Sequence, residues 1–234
     1  MPSLAATARL TGAAYLGLAL TGMAGHLALT AQLAVPGDPA ATLERLRESP
    51  GLAQLALVLE LLVVITQALA AWGFFALFRR DHPAAAFGTA AFGLGNALAI
   101  LGSTSFLATA LVVSGDAALA PGDDAAATVG LLYALSGAAW DAGRVFFGLW
   151  LIPMGVFALS TRRMPGVLGW ALVVGGAGYV LGALLGAVPA LAPVGEALSF
   201  LATVGELWMV GYLLSVGIRP SVVRAPAIAR AASA

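Results

Sequence analysis

The sequence has no cysteine and very little charge, and both absences narrow the class of protein. Without cysteine, neither a disulfide framework nor thiol chemistry is available. Only 9% of the 234 residues are charged and 61% are hydrophobic, with a mean hydropathy of +0.97. Because a soluble domain carries about 25% charged residues, this composition predicts a multi-pass helical membrane protein.

Several motifs that would carry chemistry are missing as well. We find no glycine-rich phosphate loop, no nucleophile elbow and no basic patch for nucleic acid. A histidine inside a predicted span, with scattered acids but without HxxxH or ExxH spacing, does not predict a metal site. We therefore expect no metal, no cofactor and no nucleic-acid partner.

Six apolar runs are long enough to cross a bilayer, whose hydrocarbon core of about 30 Å needs about 20 helical residues. We predict an all-α bundle of six transmembrane helices, forming a single domain over residues 1–217, with a disordered basic tail over residues 218–234. The predicted spans are residues 10–33, 52–78, 84–113, 139–160, 166–188 and 194–217.

Two further segments have weaker patterns. Residues 40–47 are predicted to form a short amphipathic helix on the membrane surface. Residues 125–138 precede the fourth span without a polar break, so we interpret them as an outer extension or interfacial helix, broken near Ser136-Gly137. Pro153 predicts a kink within the span itself.

The arginines predict the orientation in the membrane. With the N-terminus in the cytoplasm, eight arginines fall in inner segments and only Arg45 and Arg47 in outer ones. Cytoplasmic segments carry an excess of basic residues, so both termini are predicted to be cytoplasmic.

Polar side chains within the spans indicate the candidate site. Glu196, Ser199, Thr203 and Glu206 are spaced 3, 4 and 3 residues apart, within about 80° of one helix face. Such a stripe must face protein or water, because an acid at the centre of a span costs about 2.5–3.5 kcal/mol. Polar groups of other spans fall mainly in the outer half, which predicts a pocket that opens outward. The candidate catalytic residues are Glu206, Glu60 and His26, and the candidate ligand-binding residues are Tyr15, Gln67, Asn96, Asp141, Arg144 and Thr203.

Each of these residues also has a purely structural interpretation. Asp141 and Arg144, three residues apart, could neutralise each other at the interface. Glu196 could interact with a helix N-terminus, and His26 could be a hydrogen-bonded interior residue. One of the two central acids could be a neutral packing residue bonded to a nearby amide.

Three functions are compatible with such a pocket. The leading one is binding of a lipophilic small molecule, with acid–base catalysis such as cyclisation or isomerisation as its enzymatic form. A protonated Glu206 would then donate a proton, and His26 or Glu60 would accept one elsewhere on the ligand. The alternatives are a proton-coupled transporter and a structural or sensory subunit, whose buried polar residues only fix helix register.

Short motifs spread over the chain resemble one known family. They are Arg9-Leu10-Thr11-Gly12 with Tyr15, Val35-Pro36-Gly37-Asp38, Phe147-Gly148-Leu149, Pro165-Gly166-Val167-Leu168-Gly169, Gly178-Tyr179 and Glu206-Leu207. Together they resemble the bacterial membrane family catalogued as domain of unknown function 4386, over about residues 8–217. The resemblance implies a multi-pass bundle in a bacterial plasma membrane and implies no activity. Small integral-membrane terpene cyclases are similar in size and in their intramembrane acids, but they share no motif with this sequence.

The expected partners follow from the same features. Membrane lipid and a lipophilic small molecule are the predicted ligands. Gly178, Gly182 and Gly186 form a GxxxGxxxG pattern, which we call the glycine seam and which predicts close contact with another helix. Whether that helix belongs to the same chain or to a second copy stays open.

Overall fold

The computed structural model describes residues 3–219, which form six long helices, one short α-helix and three single-turn 3₁₀ helices in the connections. The long helices and the short α-helix are α1 (Leu4–Leu33), α2 (Pro39–Glu48), α3 (Pro50–Phe78), α4 (Pro83–Gly115), α5 (Ala125–Thr161), α6 (Gly166–Gly186) and α7 (Ala192–Ser215). All but α2 are long and apolar enough to cross a membrane. No strand occurs within the described range, so the predicted all-α, six-span bundle is confirmed.

Capping side chains explain where several helices begin. Asp38 accepts a hydrogen bond from the backbone N–H of Ala41 at the start of α2, and Asp124 caps α5 in the same way. The ring nitrogen Nδ1 of His82 accepts from the N–H of Ala85 at the start of α4. These acceptors satisfy backbone donors that the first helical turn leaves unpaired.

The spans form a closed ring. Each of α1, α3, α4, α5 and α6 packs against the next span in the chain, and α7 returns to α1. The ring has two ends, the Arg-rich end, which holds the turns at residues 79–82 and 162–165, and the α2 end opposite it. The arginine count predicts that the Arg-rich end is cytoplasmic.

Glycines allow α6 to approach α7 closely. A Cβ atom on Gly182 would lie only 2.5 Å from the carbonyl oxygen of Gly195, and one on Gly178 would lie 2.8 Å from that of Leu198. Gly186 has open space around it. Two of the three glycines in the seam therefore pack against a helix of the same chain.

Aromatic side chains fill the middle of the bundle. Tyr15, Phe74 and Trp150 meet edge to face, with the Tyr15 and Trp150 ring centroids 5.1 Å apart. Phe78 and Phe157 stack below them, towards the Arg-rich end. All five side chains are almost completely buried.

Helix α5 differs from the prediction because it is continuous. Its 37 residues span about 55 Å, and they stay helical through Ser136-Gly137 and Pro153. The predicted break is absent, and the Ser136 hydroxyl pairs with Ser103 of α4 at 2.8 Å. Nearer the start of α5, Val129 is buried in a small core with Leu43 and Leu46 of α2. Residues 125–138 are therefore an extension of the span, held at the α2 end by two neighbouring helices.

The two described residues that follow Gly217 contact the rest of the chain. Both fall in the segment 218–234 that the sequence predicts to be a disordered tail; Ile218 is buried, and the backbone of Arg219 is hydrogen-bonded to Arg163. The N–H of Arg219 donates to the Arg163 carbonyl at 3.2 Å, and Arg163 Nε donates to the Arg219 carbonyl at 2.7 Å. The rest of the predicted tail, residues 220–234, lies outside the described residues.

Candidate functional site

His26 and Glu60 form a pair inside the bundle. Nδ1 of His26 lies 3.1 Å from Oε1 of Glu60, and the Glu60 side chain is completely buried whereas that of His26 is 23% exposed. The second carboxyl oxygen of Glu60, Oε2, is buried without a hydrogen-bond partner in the described part of the chain. A buried polar atom left unpaired is costly, so this oxygen marks a place where a water or a ligand would be stabilised.

A local change in helix geometry positions His26. Residues Met23–Thr30 of α1 form a π-helical stretch, and the Thr30 hydroxyl donates to the Gly25 carbonyl five residues earlier at 3.1 Å. Gly25 packs directly on Leu59, since a Cβ atom there would lie 2.9 Å from the Leu59 Cβ. The wider helix and the small residue bring His26 against α3. Stretches of π-helix are rare and are frequent at functional sites.

The other face of His26 stacks on Trp140 of α5. The two ring centroids are 3.6 Å apart and the ring planes differ by 4°. His26 is thus held between a carboxyl group and an indole. Nδ1 faces Glu60, and Nε2 has no hydrogen-bond partner within residues 3–219. The imidazole is fixed in orientation with one nitrogen available.

A second pair of polar side chains lies nearer the middle of the bundle and also involves α1. The hydroxyl of Tyr15 donates to Oε1 of Glu206 at 3.0 Å, with Tyr15 buried and Glu206 half-buried. Tyr179 is close enough to interact electrostatically with both Glu206 and Arg144. Arg144 Nη2 in turn donates to the Ser199 hydroxyl at 2.8 Å. Helices α1, α5, α6 and α7 therefore meet around a cluster of polar groups.

The two pairs are separate rather than parts of one lining. Tyr15 and His26 are eleven residues apart on α1, an axial distance of about 16 Å. Each acid is bonded to its own neighbour on that helix, Glu60 to His26 and Glu206 to Tyr15. The structure thus brings together the residues of each pair, but it does not place both acids against a common partner.

Two of the candidate ligand-binding residues carry amide side chains, and both lie in the interior between the helices. Gln67, one heptad from Glu60 on α3, is fully buried, and both of its side-chain polar atoms lack a partner within residues 3–219. Asn96 of α4 is also buried, with its Oδ1 close to Gly143. The indole nitrogen of Trp150 is likewise unpaired in this region. Unsatisfied polar atoms therefore continue from the His26–Glu60 pair towards the middle of the bundle.

The remaining predicted residues lie closer to the surface. Asp141 is exposed, and its carboxyl oxygen is 3.7 Å from Arg144 Nη1, a loose pair that fits the structural interpretation. Thr203 is half-buried on α7, and Glu196 is exposed. No group of three or more histidines and acids that could hold a metal ion is present within residues 3–219.

Neither of the described cavities coincides with the predicted outward-opening pocket. One of about 780 Å³ lies between α1 and α3 at the Arg-rich end, and one of about 530 Å³ lies against α2. Their linings include none of the candidate catalytic residues His26, Glu60 and Glu206.

Sequence reasoning missed Trp140 and Tyr179. Trp140 directly precedes the candidate Asp141, so an aromatic residue beside a polar patch was the available signal. Tyr179 was visible only as part of a short motif in the family resemblance. Neither signal indicates a contact, because contact depends on which helices are neighbours.

Comparison with known proteins identifies a family. The family model of the domain of unknown function DUF4386 matches residues 10–217, which is most of the chain. No curated protein and no solved structure matches the sequence.

Proposed function

The chain belongs to the DUF4386 family, whose domain has no assigned function, and we propose that it binds a lipophilic small molecule at the His26–Glu60 pair. The observation that carries the proposal is the completely buried carboxyl of Glu60, with one oxygen on His26 and the other unpaired. An acid in a spanning helix costs several kcal/mol and is by default a functional-site hypothesis. We further propose, from the family resemblance, that the molecule is met in a bacterial plasma membrane.

The pair supplies acid–base chemistry to a bound ligand. Glu60 holds Nδ1 of His26 and Trp140 holds the ring plane, so Nε2 has a fixed direction. A carboxyl that orients an imidazole in this way stabilises the correct tautomer and the imidazolium form. The partly exposed edge of His26 is where an apolar ligand could reach it from the lipid.

In its enzymatic form, the proposed reaction is an isomerisation or a terpene-cyclase-like cyclisation. Protonation at one carbon of the ligand and loss of a proton from another leaves its composition unchanged, so no co-reactant is needed. His26 exchanges one of these protons. The unpaired oxygen Oε2 of Glu60, at the same site, is the proposed donor or acceptor for the other proton.

Native mass spectrometry of the detergent-purified protein tests the proposal. The wild type should carry a co-purified small molecule, and His26→Gln and Glu60→Gln should lower its occupancy about tenfold or more. Glu196→Gln is the matched control, because it neutralises an exposed acid on α7. Unchanged occupancy in both pair variants, or a wild type that carries no such molecule, would contradict the proposal.

A proton-coupled transporter is the second candidate. Two pairs of titratable groups at different depths of α1, with the unpaired Gln67 amide near the middle, favour a path for protons. Transporter sites usually lie at discontinuous helices, and the described stretches of α3 to α7 are continuous, which makes this candidate the weaker one. Proton flux into dye-loaded proteoliposomes that is abolished by Glu60→Gln would favour it over ligand binding alone.

A structural or sensory subunit is the third candidate. Its buried polar groups would serve only helix register, and Glu60→Gln and Glu206→Gln would then change stability but no ligand occupancy and no flux.

A further inference from the structure

A groove at the Arg-rich end lies apart from the His26–Glu60 pair. It has a volume of about 780 Å³ and runs between α1 and α3. Gly73 and Thr11 touch at its base, since a Cβ atom on Gly73 would lie 2.3 Å from the Thr11 hydroxyl oxygen. The small side chains of Ala14 and Ala76 line it and leave room for a guest.

The walls of the groove are apolar and face outward from the bundle. Leu10 is 67% exposed, Leu69 is 53% exposed and Trp72 is 68% exposed. All three line the groove and lie on membrane-spanning helices. A hydrocarbon chain is the guest that such walls stabilise, because apolar side chains on this side of a span already face lipid.

The mouth of the groove is positively charged. Arg79, Arg80 and Arg163 line it together with Asp81. Arg163 is neutralised by its salt bridge to Asp81. Arg79 and Arg80 are exposed, and neither side chain has a hydrogen bond or salt bridge to residues 3–219. Two guanidinium groups are thus left uncompensated at one end of an apolar groove.

We propose that this groove binds an anionic phospholipid, with its phosphate at Arg79 and Arg80 and one acyl chain along Leu10, Leu69 and Trp72. A guanidinium group matches phosphate geometry in a bidentate way, and basic pockets between spans bind anionic headgroups. Arg79 and Leu69 are ten residues apart, about 15 Å along α3. This is half the hydrocarbon core of about 30 Å, the depth that one acyl chain occupies.

The positive-inside bias alone explains arginines at this end, but it makes no distinction among them. If that bias were the whole explanation, every arginine at the interface would contribute equally to the binding of an anionic lipid. A seated lipid requires the two arginines at the groove and also the open space between Ala14 and Ala76. Those two requirements can be tested separately.

The first test removes charge. Delipidated protein is titrated with phosphatidylglycerol and with phosphatidylcholine of the same chains, and bound lipid is counted by native mass spectrometry. The wild type should bind phosphatidylglycerol more tightly, and the Arg79→Gln/Arg80→Gln double variant should raise its Kd roughly tenfold to thirtyfold. The double variant Arg9→Gln/Arg162→Gln is the matched control, since both residues are exposed and lie outside the groove.

The second test fills the groove. Ala76→Phe should lower the number of tightly bound lipids by one, whereas Ala13→Phe, on an exposed position of α1 outside the groove, should not. Equal affinity for the two lipids would overturn the proposal. So would an equal loss in the matched arginine control, or full lipid binding by Ala76→Phe. These outcomes leave the His26–Glu60 proposal unaffected, because neither test changes that pair.

Discussion

A double-mutant cycle on the His26–Glu60 pair makes the sharpest prediction. His26→Ala leaves the Glu60 carboxyl without its partner, and Glu60→Ala leaves Nδ1 of the imidazole without its carboxyl partner. The double variant removes the interaction from both sides. Comparing the three variants with the wild type isolates the energy of the contact itself.

The expected magnitude follows from the geometry. Hydrogen bonds between membrane helices contribute about 0.6 kcal/mol on average and up to about 1.7 kcal/mol. The Glu60 side chain is completely buried and lies 3.1 Å from His26, so we expect a coupling energy near the upper limit, about 1.5 kcal/mol. His26→Ala alone should cost about 2–3 kcal/mol, because it also removes the stacked contact with Trp140.

Unfolding in mixed micelles is a suitable assay. Increasing the fraction of sodium dodecyl sulfate unfolds the protein, and the fluorescence of its five tryptophans reports the transition. Linear extrapolation gives the free energy of unfolding of each variant. The same cycle on Asp141 and Arg144 is the control, since this pair is separated by 3.7 Å and Asp141 is 71% exposed.

The control pair should show less than about 0.5 kcal/mol of coupling. A coupling for His26 and Glu60 that is no larger than the control value would refute the reasoning. The carboxyl would then be stabilised by other groups, and the fixed orientation of the imidazole would have no energetic basis.

Three further substitutions should change stability in the same assay. Gly182→Ala should cost about 1–3 kcal/mol, because its Cβ would lie 2.5 Å from a backbone oxygen of α7, whereas Gly186→Ala, in open space, should be nearly neutral; equal effects would contradict this. Tyr15→Phe should cost about 1 kcal/mol by removing a hydrogen bond, and an unchanged midpoint would count against that bond. Ser103→Ala alone should cost more than Ser103→Ala with Ser136→Ala, since the single change leaves a buried hydroxyl unpaired; the reverse order would disprove the pairing.

The membrane topology was predictable because hydropathy reports burial in lipid directly. Each span appears as an apolar run, and the ends at residues 33 and 78 agree with the helices observed. The length of α5 was harder to predict, because an apolar run does not show what its outer part packs against. Contacts of Val129 with α2 and of Ser136 with α4 decide the matter, and both depend on the fold.

The polar residues of the site were predictable one helix at a time, but their pairing was not. Periodicity shows which side chains share a face of one helix. It does not show that α1 lies between α3 and α7, which is what brings His26 to Glu60 and Tyr15 to Glu206. The π-helical stretch around His26 also has no signature that the sequence pattern revealed.

Chemical modification of the two histidines tests most directly whether a ligand sits at the His26–Glu60 pair. Diethyl pyrocarbonate reacts with an unprotonated imidazole nitrogen, and peptide mass spectrometry separates His26 from His82, which lies outside the site and serves as the internal standard. In protein that keeps its co-purified molecule, His26 should be protected, and after extraction of that molecule it should react several-fold faster relative to His82. A reactivity of His26 that is the same before and after extraction would contradict the proposed site.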